Sequence, residues 1–347
     1  MKRKKAFITG VTGQDGSYLA DYLLSKNYEV HGLRRKNSQE NTQNVDHIIE
    51  SKDFTKSFFL HYGDITDTTS LVNIANKFKF DEIYHLSAQS HVHTSFHVPE
   101  YTTYVNAMGS IKILEIMKAF LPSCRFYNAS TSELYGKVLE TRQNEKTPFN
   151  PRSPYAISKL YSHLITINFR ESYGLFACNG ILFNHESPRR GKTFITRKIT
   201  LAVARIKLGL DKCLYIGNLD AKRDWGYAKE YVEAMHLMLQ QSKAEEFAIG
   251  TGRNFSVRYF IEKTFKISGI NIVWKGKGIN EVGVNKENNK TLVRVEKFFF
   301  RPSEVDTLLC DPRKAKKILN WKAKMHIDDL ISKMYESDYN TLKNIYL

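Results

Sequence analysis

No run of this 347-residue sequence stays apolar long enough to span a bilayer, so it holds no candidate transmembrane helix and no membrane partner is expected. Cysteine is scarce. Cys124, Cys178, Cys213 and Cys310 lie far apart, without the spacing of metal ligands or the density of a disulfide framework. That points to a reducing compartment and to no bound metal. No secretory leader is expected: Met1-Lys2-Arg3-Lys4-Lys5 carries the right charge, but the apolar stretch behind it breaks at Thr9-Gly10 with no small-residue cleavage site. The expectation is a cytoplasmic chain. Internal repeats and low-complexity linkers are also absent.

What the chain does have is core material and positive charge. With 42% hydrophobic residues, 21 Phe and 19 Tyr it reads as globular, and its length suits about two lobes. The net charge of +16 raises nucleic-acid binding. Its Lys and Arg residues are spread along the whole chain, however, and no nucleic-acid motif accompanies them, so no nucleic-acid partner is expected.

Strand and helix patterns alternate through the first half. Lys5 to Thr9 is a short apolar run ending in Gly10-Val11-Thr12-Gly13-Gln14-Asp15-Gly16, followed by Leu19, Ala20, Leu23 and Leu24 at helical spacing and by a second strand over 28–33. Strand, glycine turn, helix and strand within about thirty residues form a dinucleotide fingerprint. Gly10 permits the tight turn, Gly13 lets the backbone approach a pyrophosphate and Gly16 allows close packing. After the second strand, where an acid would bind a ribose diol, the chain has Arg34-Arg35-Lys36-Asn37-Ser38. Cations there suit a 2′-phosphate, which favours NADP over NAD. Further strands are expected over 57–62, 82–86, 125–129 and 176–183, with helices over 71–78 and 100–120 between them. The prediction is an α/β chain with a Rossmann-type, doubly wound parallel sheet whose ligands sit at the strands' carboxyl ends. A smaller, interleaved α/β lobe would hold the substrate. Residues 1–183 with about 226–250 would form the first part, and about 184–225 with 251–347 the second. Residues 225–241 and 328–346 read as helices, 247–249 as an edge strand and 276–290 as an exposed loop.

Tyr155 and Lys159 are four apart on a helix that Ser153-Pro154 would start, with Leu160, Leu164 and Ile167 continuing its buried face. A nearby ammonium favours phenolate, so this pair suits a tyrosine acting as a base. Glu133 lies two residues after Thr131 at a strand end. Arg190, Arg223 and Arg301 suit a diphosphate. Trp225 and Phe298-Phe299-Phe300 read as packing residues.

These blocks together resemble the extended short-chain dehydrogenase/reductase superfamily and, within it, the GDP-mannose 4,6-dehydratase family. The resemblance covers nearly the whole chain and rests on T-G-V-T-G-Q-D-G-S-Y-L from Thr9, H-Y-G-D-I-T-D from His61, A-S-T-S-E-L-Y-G-K from Ala129, P-R-S-P-Y from Pro151, N-G-I-L-F-N-H-E-S-P-R-R-G from Asn179, G-N-L-D-A-K-R-D-W-G from Gly217 and R-P-S-E-V-D from Arg301. It implies catalytic roles for Thr131, Glu133, Tyr155 and Lys159. It implies NADP contacts at Gly10, Val11, Thr12, Gly13, Gln14, Asp15, Arg35, Asn37, Ser38, Asp64, Ile65, Leu86, Ala88, Gln89, Ser90, Tyr101, Lys159, His185 and Arg190. Asn184, Lys198, Arg223, Arg301 and Glu304 would bind the nucleotide of a GDP-linked sugar. The implied reaction oxidises C4, eliminates water across C5 and C6 and returns hydride to C6, in a homodimer or homotetramer. The stretch His93-Thr94 and the segment Ala156-Ile157-Ser158 differ from the familiar pattern. They leave a GDP-heptose dehydratase open, beside a nucleotide-sugar epimerase or reductase of the same fold, which would not need Glu133.

Overall fold

In the computed structural model, which describes residues 3–36, 38, 40–300 and 303–346, a seven-stranded parallel sheet runs through the centre. Its order is Phe247–Ile249, Phe176–Leu182, Arg125–Thr131, Glu82–His85, Lys5–Thr9, Glu29–Arg34, Phe58–Tyr62. Chain order reverses between Lys5–Thr9 and Glu82–His85, the switch point at which open α/β sheets bind ligands. The central strands are buried along almost their whole length, as parallel strands covered on both faces must be. One face packs under Leu19, Leu23, Tyr231 and Met235, the other under Leu71, Leu114, Met117 and Phe169. Phe247–Ile249 closes the edge beside Phe176–Leu182, as the sequence suggests.

A second sheet, ordered Ile272–Lys275, Val282–Asn285, Thr291–Val295, Leu214–Ile216, packs with the helices Ile195–Lys207, Val257–Ile267 and Ile327–Tyr346 around Ile199, Phe260, Phe265, Val293 and Met334. Three local expectations change. Residues 276–290 are not one exposed loop: after a short turn at Gly278–Asn280 they supply the strand Val282–Asn285, where Val284 points into the core and balances the polar residues around it. The helix expected from Trp225 begins at Ala228, because Gly226-Tyr227 first pairs with His185-Glu186. The helix expected over 100–120 is interrupted by a π turn at Tyr104–Met108.

The Pro154–Tyr173 helix starts as read, with Ser153 Oγ accepting from the Ala156 N–H at 3.1 Å, but its buried face differs. That face is Tyr155, Ser158, Lys159, Ser162, Thr166 and Phe169, while Leu164 is 52% exposed. The buried hydroxyls are partnered: Ser162 with Ser110 at 2.5 Å and with Asn128 at 3.1 Å, Ser158 with Asn106 at 3.1 Å. Small serines let this helix lie close to its neighbour, and Ile157 and Leu164 face outward. No helix among the described residues is long and apolar enough to cross a membrane.

Candidate functional site

A cavity of about 830 Å³ lies at the strands' carboxyl ends. Thr131, Glu133, Tyr155 and Lys159 line it, as do Asp15, Leu86, Ala88, Ser90, His185 and Arg190. Asn184, Lys198, Arg223 and Glu304 line it as well. Thr131 is the last residue of its strand, and its hydroxyl accepts from the Glu133 N–H at 3.2 Å, which caps the short turn Ser132–Leu134 and turns Glu133 toward the cavity. The Thr131 hydroxyl lies near enough to the Tyr155 phenol to favour its ionised form. Lys159 Nζ donates to the Ala129 carbonyl at 2.6 Å. Three neighbouring elements therefore hold the four residues: one strand, the turn after it and the helix beside it.

The electrostatics depart from the simple reading of the Tyr155/Lys159 pair. Burial pushes the Tyr155 phenol up to about 12, against the hydrogen bond from Thr131 and the charge of Arg190, which both favour phenolate. Burial also brings the Lys159 ammonium down to about 8. In this state the phenol keeps its proton at neutral pH, and Lys159 is held by a carbonyl rather than spent on lowering Tyr155.

On the first-lobe side, Gly10 sits at φ +75°, and a Cβ there would come within 3.1 Å of the Ser87 nitrogen. A Cβ on Gly16 would lie 2.2 Å from the Gly10 carbonyl oxygen. The turn leads into the helix Gln14–Ser25, whose cap residue Gly13 brings no side chain to its free N–H groups. A bare, close-packed turn at a helix start is the cradle that a dinucleotide pyrophosphate requires, so these residues fit such a cofactor. Val11 is buried beneath Gly32, and the Thr12 carbonyl accepts from Asn44 at 3.0 Å.

Asp15 and His185 form an ion pair at 2.7 Å, with the imidazole stacked 4.6 Å from Tyr231. Burial opposes charge on both, yet their mutual attraction wins: the Asp15 carboxyl is held below its usual range and the His185 imidazole lifted above its own. Gln14 bonds the His185 carbonyl at 3.0 Å and Ser187 at 2.8 Å. These three residues thus tie the glycine turn to the segment after Phe176–Leu182.

The remaining first-lobe residues sit beyond the cavity wall. Asp64 accepts from the Thr66 N–H at 2.8 Å, Ile65 is buried, and Arg35 is half exposed between Asp64 at 3.9 Å and the Tyr101 hydroxyl at 3.3 Å. Ser38 is exposed nearby. Asn37 and Arg301 lie outside the described residues. The Gln89 N–H donates to the Asn106 side chain at 2.9 Å.

Arg223 is buried, with Nη2 3.5 Å from Glu304. Burial brings Lys198 down to about 8, with its Nζ 3.3 Å from the centroid of Phe299. The packing role read for the phenylalanine run does not hold: Phe298 is 75% exposed, and Phe298 and Phe299 both line the cavity. Trp225 is buried against Phe260 and also forms part of the wall.

Sequence reasoning missed several residues here. Asn106 is buried within the π turn and links the Gln89 loop to Ser158 on the tyrosine helix. A π turn inside a helical pattern leaves no periodicity signal, although such turns gather at functional sites. Glu186, Lys192, Thr193 and Phe194 line the cavity from a segment in which only Asn184, His185 and Arg190 were expected to touch a ligand. His91 and His93 line it too, with rings against Phe194 and Phe298.

The sequence profile described as GDP-mannose 4,6 dehydratase matches residues 7–334. The human protein named GDP-mannose 4,6 dehydratase is 53% identical over 345 residues, covering 98% of this chain and 93% of the relative. That of Yersinia enterocolitica, serotype O:8, is 51% identical over 353 residues, 98% of this chain and 95% of the relative. Among solved structures, the dTDP-glucose 4,6-dehydratase of Bacillus anthracis in complex with NAD superimposes with a TM-score of 0.80 at 19% identity, covering 98% of each chain. RMD from Pseudomonas aeruginosa complexed with NADPH gives 0.75 at 20%, over 97% of this chain and 99% of that one. These last two carry the fold alone. With a matching profile over nearly its whole length and relatives above half identity, the chain belongs to the GDP-mannose 4,6-dehydratase family, enzymes of the hydro-lyase type.

Proposed function

We propose that this protein works in the cytoplasm on GDP-mannose, converting it to the GDP-4-keto-6-deoxy sugar with NADP as its recycling cofactor. The observation that carries this reading is the convergence of Thr131, Glu133, Tyr155 and Lys159 on one cavity whose lining also includes Lys198 and Arg223. A bound nicotinamide supplies the hydride acceptor and donor that the chain itself lacks. Tyr155 is placed to take the C4 hydroxyl proton, with Thr131 sharing its hydrogen bond and orienting the sugar oxygen. Lys159 lies one turn along the same helix and holds the geometry through the Ala129 carbonyl. Glu133 is the carboxylate available for the C5 proton, made acidic by the C4 ketone, and can deliver it to the departing C6 hydroxyl. Epimerisation at C4 alone would leave Glu133 without work.

For the cofactor, support for NADP is the absence of an acid at the end of Glu29–Arg34 and the cations Arg34, Arg35 and Lys36 in its place. Arg34 and Lys36 both lie 4.9 Å from the Tyr62 ring, so the cationic cluster is gathered at one spot. The division of labour follows: the first lobe takes the dinucleotide and the second the GDP moiety. Incubation with GDP-mannose and catalytic NADP⁺ is expected to give a product lighter by one water with no accumulation of NADPH, and faster than with NAD⁺. An isomer of unchanged mass would replace this reading by an epimerase. Turnover of a GDP-heptose but not of GDP-mannose would change the sugar.

A second copy of the chain is the occupant we propose for the outward face of the Pro154–Tyr173 helix. Ile157, Tyr161 and Leu164 recur there at one helical face, beside Tyr104 and Met108 of the packed neighbour, all more than a third exposed. An apolar face two helices wide suits an isologous dimer. Sedimentation is expected to show a species of at least twice the 40.2 kDa chain mass, and Tyr161→Glu to shift it toward the monomer. A monomeric wild type would exclude this.

A further inference from the structure

The segment from Ser187 to Phe194 forms one wall of the cavity and carries Arg190, Lys192 and Thr193 into it. It has no regular secondary structure, so something else must fix it. On one side Arg189 reaches the first helix, bonding Asp21 at 2.7 Å and Ser17 at 3.2 Å and covering the Tyr18 ring at 4.1 Å. On the other side stands Arg197, which touches no part of the cavity. Its Nη1 donates to the carbonyls of Pro188 and Arg190, the latter at 3.2 Å. Its Nε and Nη2 are taken by Asp338 of the last helix, at 2.7 and 2.6 Å. Thr200 adds a donor to the same carboxylate at 2.6 Å. Asp338 is 1% exposed and Arg197 13%. One planar guanidinium therefore grips two loop carbonyls with one edge and a buried carboxylate with the other.

We infer that Arg197, held by Asp338, is a positioning residue that fixes the Arg190–Lys192 wall for the anionic part of the substrate. This rests on the GDP-sugar reading above and extends it to a residue that contacts no ligand. The Arg190 guanidinium sits between Glu186 at 3.1 Å and the Phe194 ring at 3.8 Å, and its own carbonyl is one of the two that Arg197 holds. Displacing that carbonyl moves the backbone bearing the cation. A lysine at 197 keeps the charge beside Asp338 but is a point donor, without the fork needed to hold both sides at once. A shift of the order of 1 Å in a group that positions a ligand is costly even when the mutation lies far from the chemistry.

The test uses GDP itself as probe, in calorimetric titrations of the NADP⁺-loaded enzyme, together with melting temperatures and steady-state kinetics on GDP-mannose. Arg197→Lys is expected to weaken GDP binding and raise KM by about tenfold to a hundredfold, with kcat within a few fold of wild type. Asp338→Asn should move both in the same direction by less, since the carbonyl bonds remain. Met334→Ala serves as control: it opens the core under the same helix and should lower the melting temperature without changing GDP affinity. Unchanged GDP affinity in Arg197→Lys would overturn the inference, and so would losses in all three variants that simply track melting temperature. If the wild type binds GDP but does not turn over GDP-mannose, the sugar assignment falls and the positioning role is still decided by the titrations. A wild type that binds no GDP removes both.

Discussion

Glu133→Gln is expected to cost between about a hundredfold and ten-thousandfold in formation of the dehydrated product, the usual span for loss of a general acid–base group. The side chain keeps its size and stays on the capped turn after Thr131, whose bond to the 133 N–H does not depend on the carboxylate. Tyr155, Thr131 and Lys159 keep their side chains, and loss of the Glu133 charge eases ionisation of Tyr155, so C4 oxidation should proceed and then stall. On adding GDP-mannose, the variant should show bound NADPH by absorbance, up to one equivalent per site, with little water lost from the sugar. Dehydration at the wild-type rate would show that Glu133 is not the base.

Tyr155→Phe should fail one step earlier, with a loss of similar or larger size. Burial keeps the Tyr155 phenol protonated in the free protein, and Thr131 and Arg190 are the groups that ease its ionisation. Removing the hydroxyl leaves the C4 hydroxyl proton without its tyrosine acceptor, so neither NADPH nor product should appear. Cofactor affinity should change little, because the glycine turn and the Arg34–Lys36 cluster lie on other elements. Accumulation of NADPH in Tyr155→Phe would reassign the proton acceptor. The two variants together order the steps: one stops after hydride leaves C4, the other before.

The sheet was largely readable from the chain because parallel strands buried on both faces are short continuous apolar runs, and Lys5–Thr9, Arg125–Thr131 and Phe176–Leu182 all fit that form. Thr131 and Glu133 could be placed for the same reason, since residues just past such runs sit at the ligand-bearing edge. The Pro154–Tyr173 helix starts where the sequence indicates, and only its buried face departs from hydropathy, for a definite cause. Hydropathy predicts that leucine goes in and serine goes out, but here Ser158 and Ser162 are buried because Asn106, Asn128 and Ser110 supply their hydrogen bonds. None of those partners is near in sequence. Burial likewise reversed the simple electrostatics of Tyr155 and Lys159: spacing puts an ammonium near a phenol but says nothing of the Ala129 carbonyl that takes it. The sequence reads Phe298-Phe299 as packing residues, whereas both line the cavity and Phe299 meets Lys198, 101 positions away in the chain. Arg197 and Asp338 are 141 residues apart, so their pairing carried no local signal at all.

The proposed reaction moves one hydride from C4 to C6 of the same sugar while Glu133 exchanges the C5 proton. Turnover of GDP-mannose carrying deuterium at C4, with unlabelled NADP⁺ in ordinary water and product analysed by NMR, follows that hydride directly. The expected product carries the deuterium at C6, and a parallel run with unlabelled substrate in heavy water places solvent deuterium at C5. Deuterium retained at C4, or lost from the sugar into free NADPH, would contradict the proposed reaction.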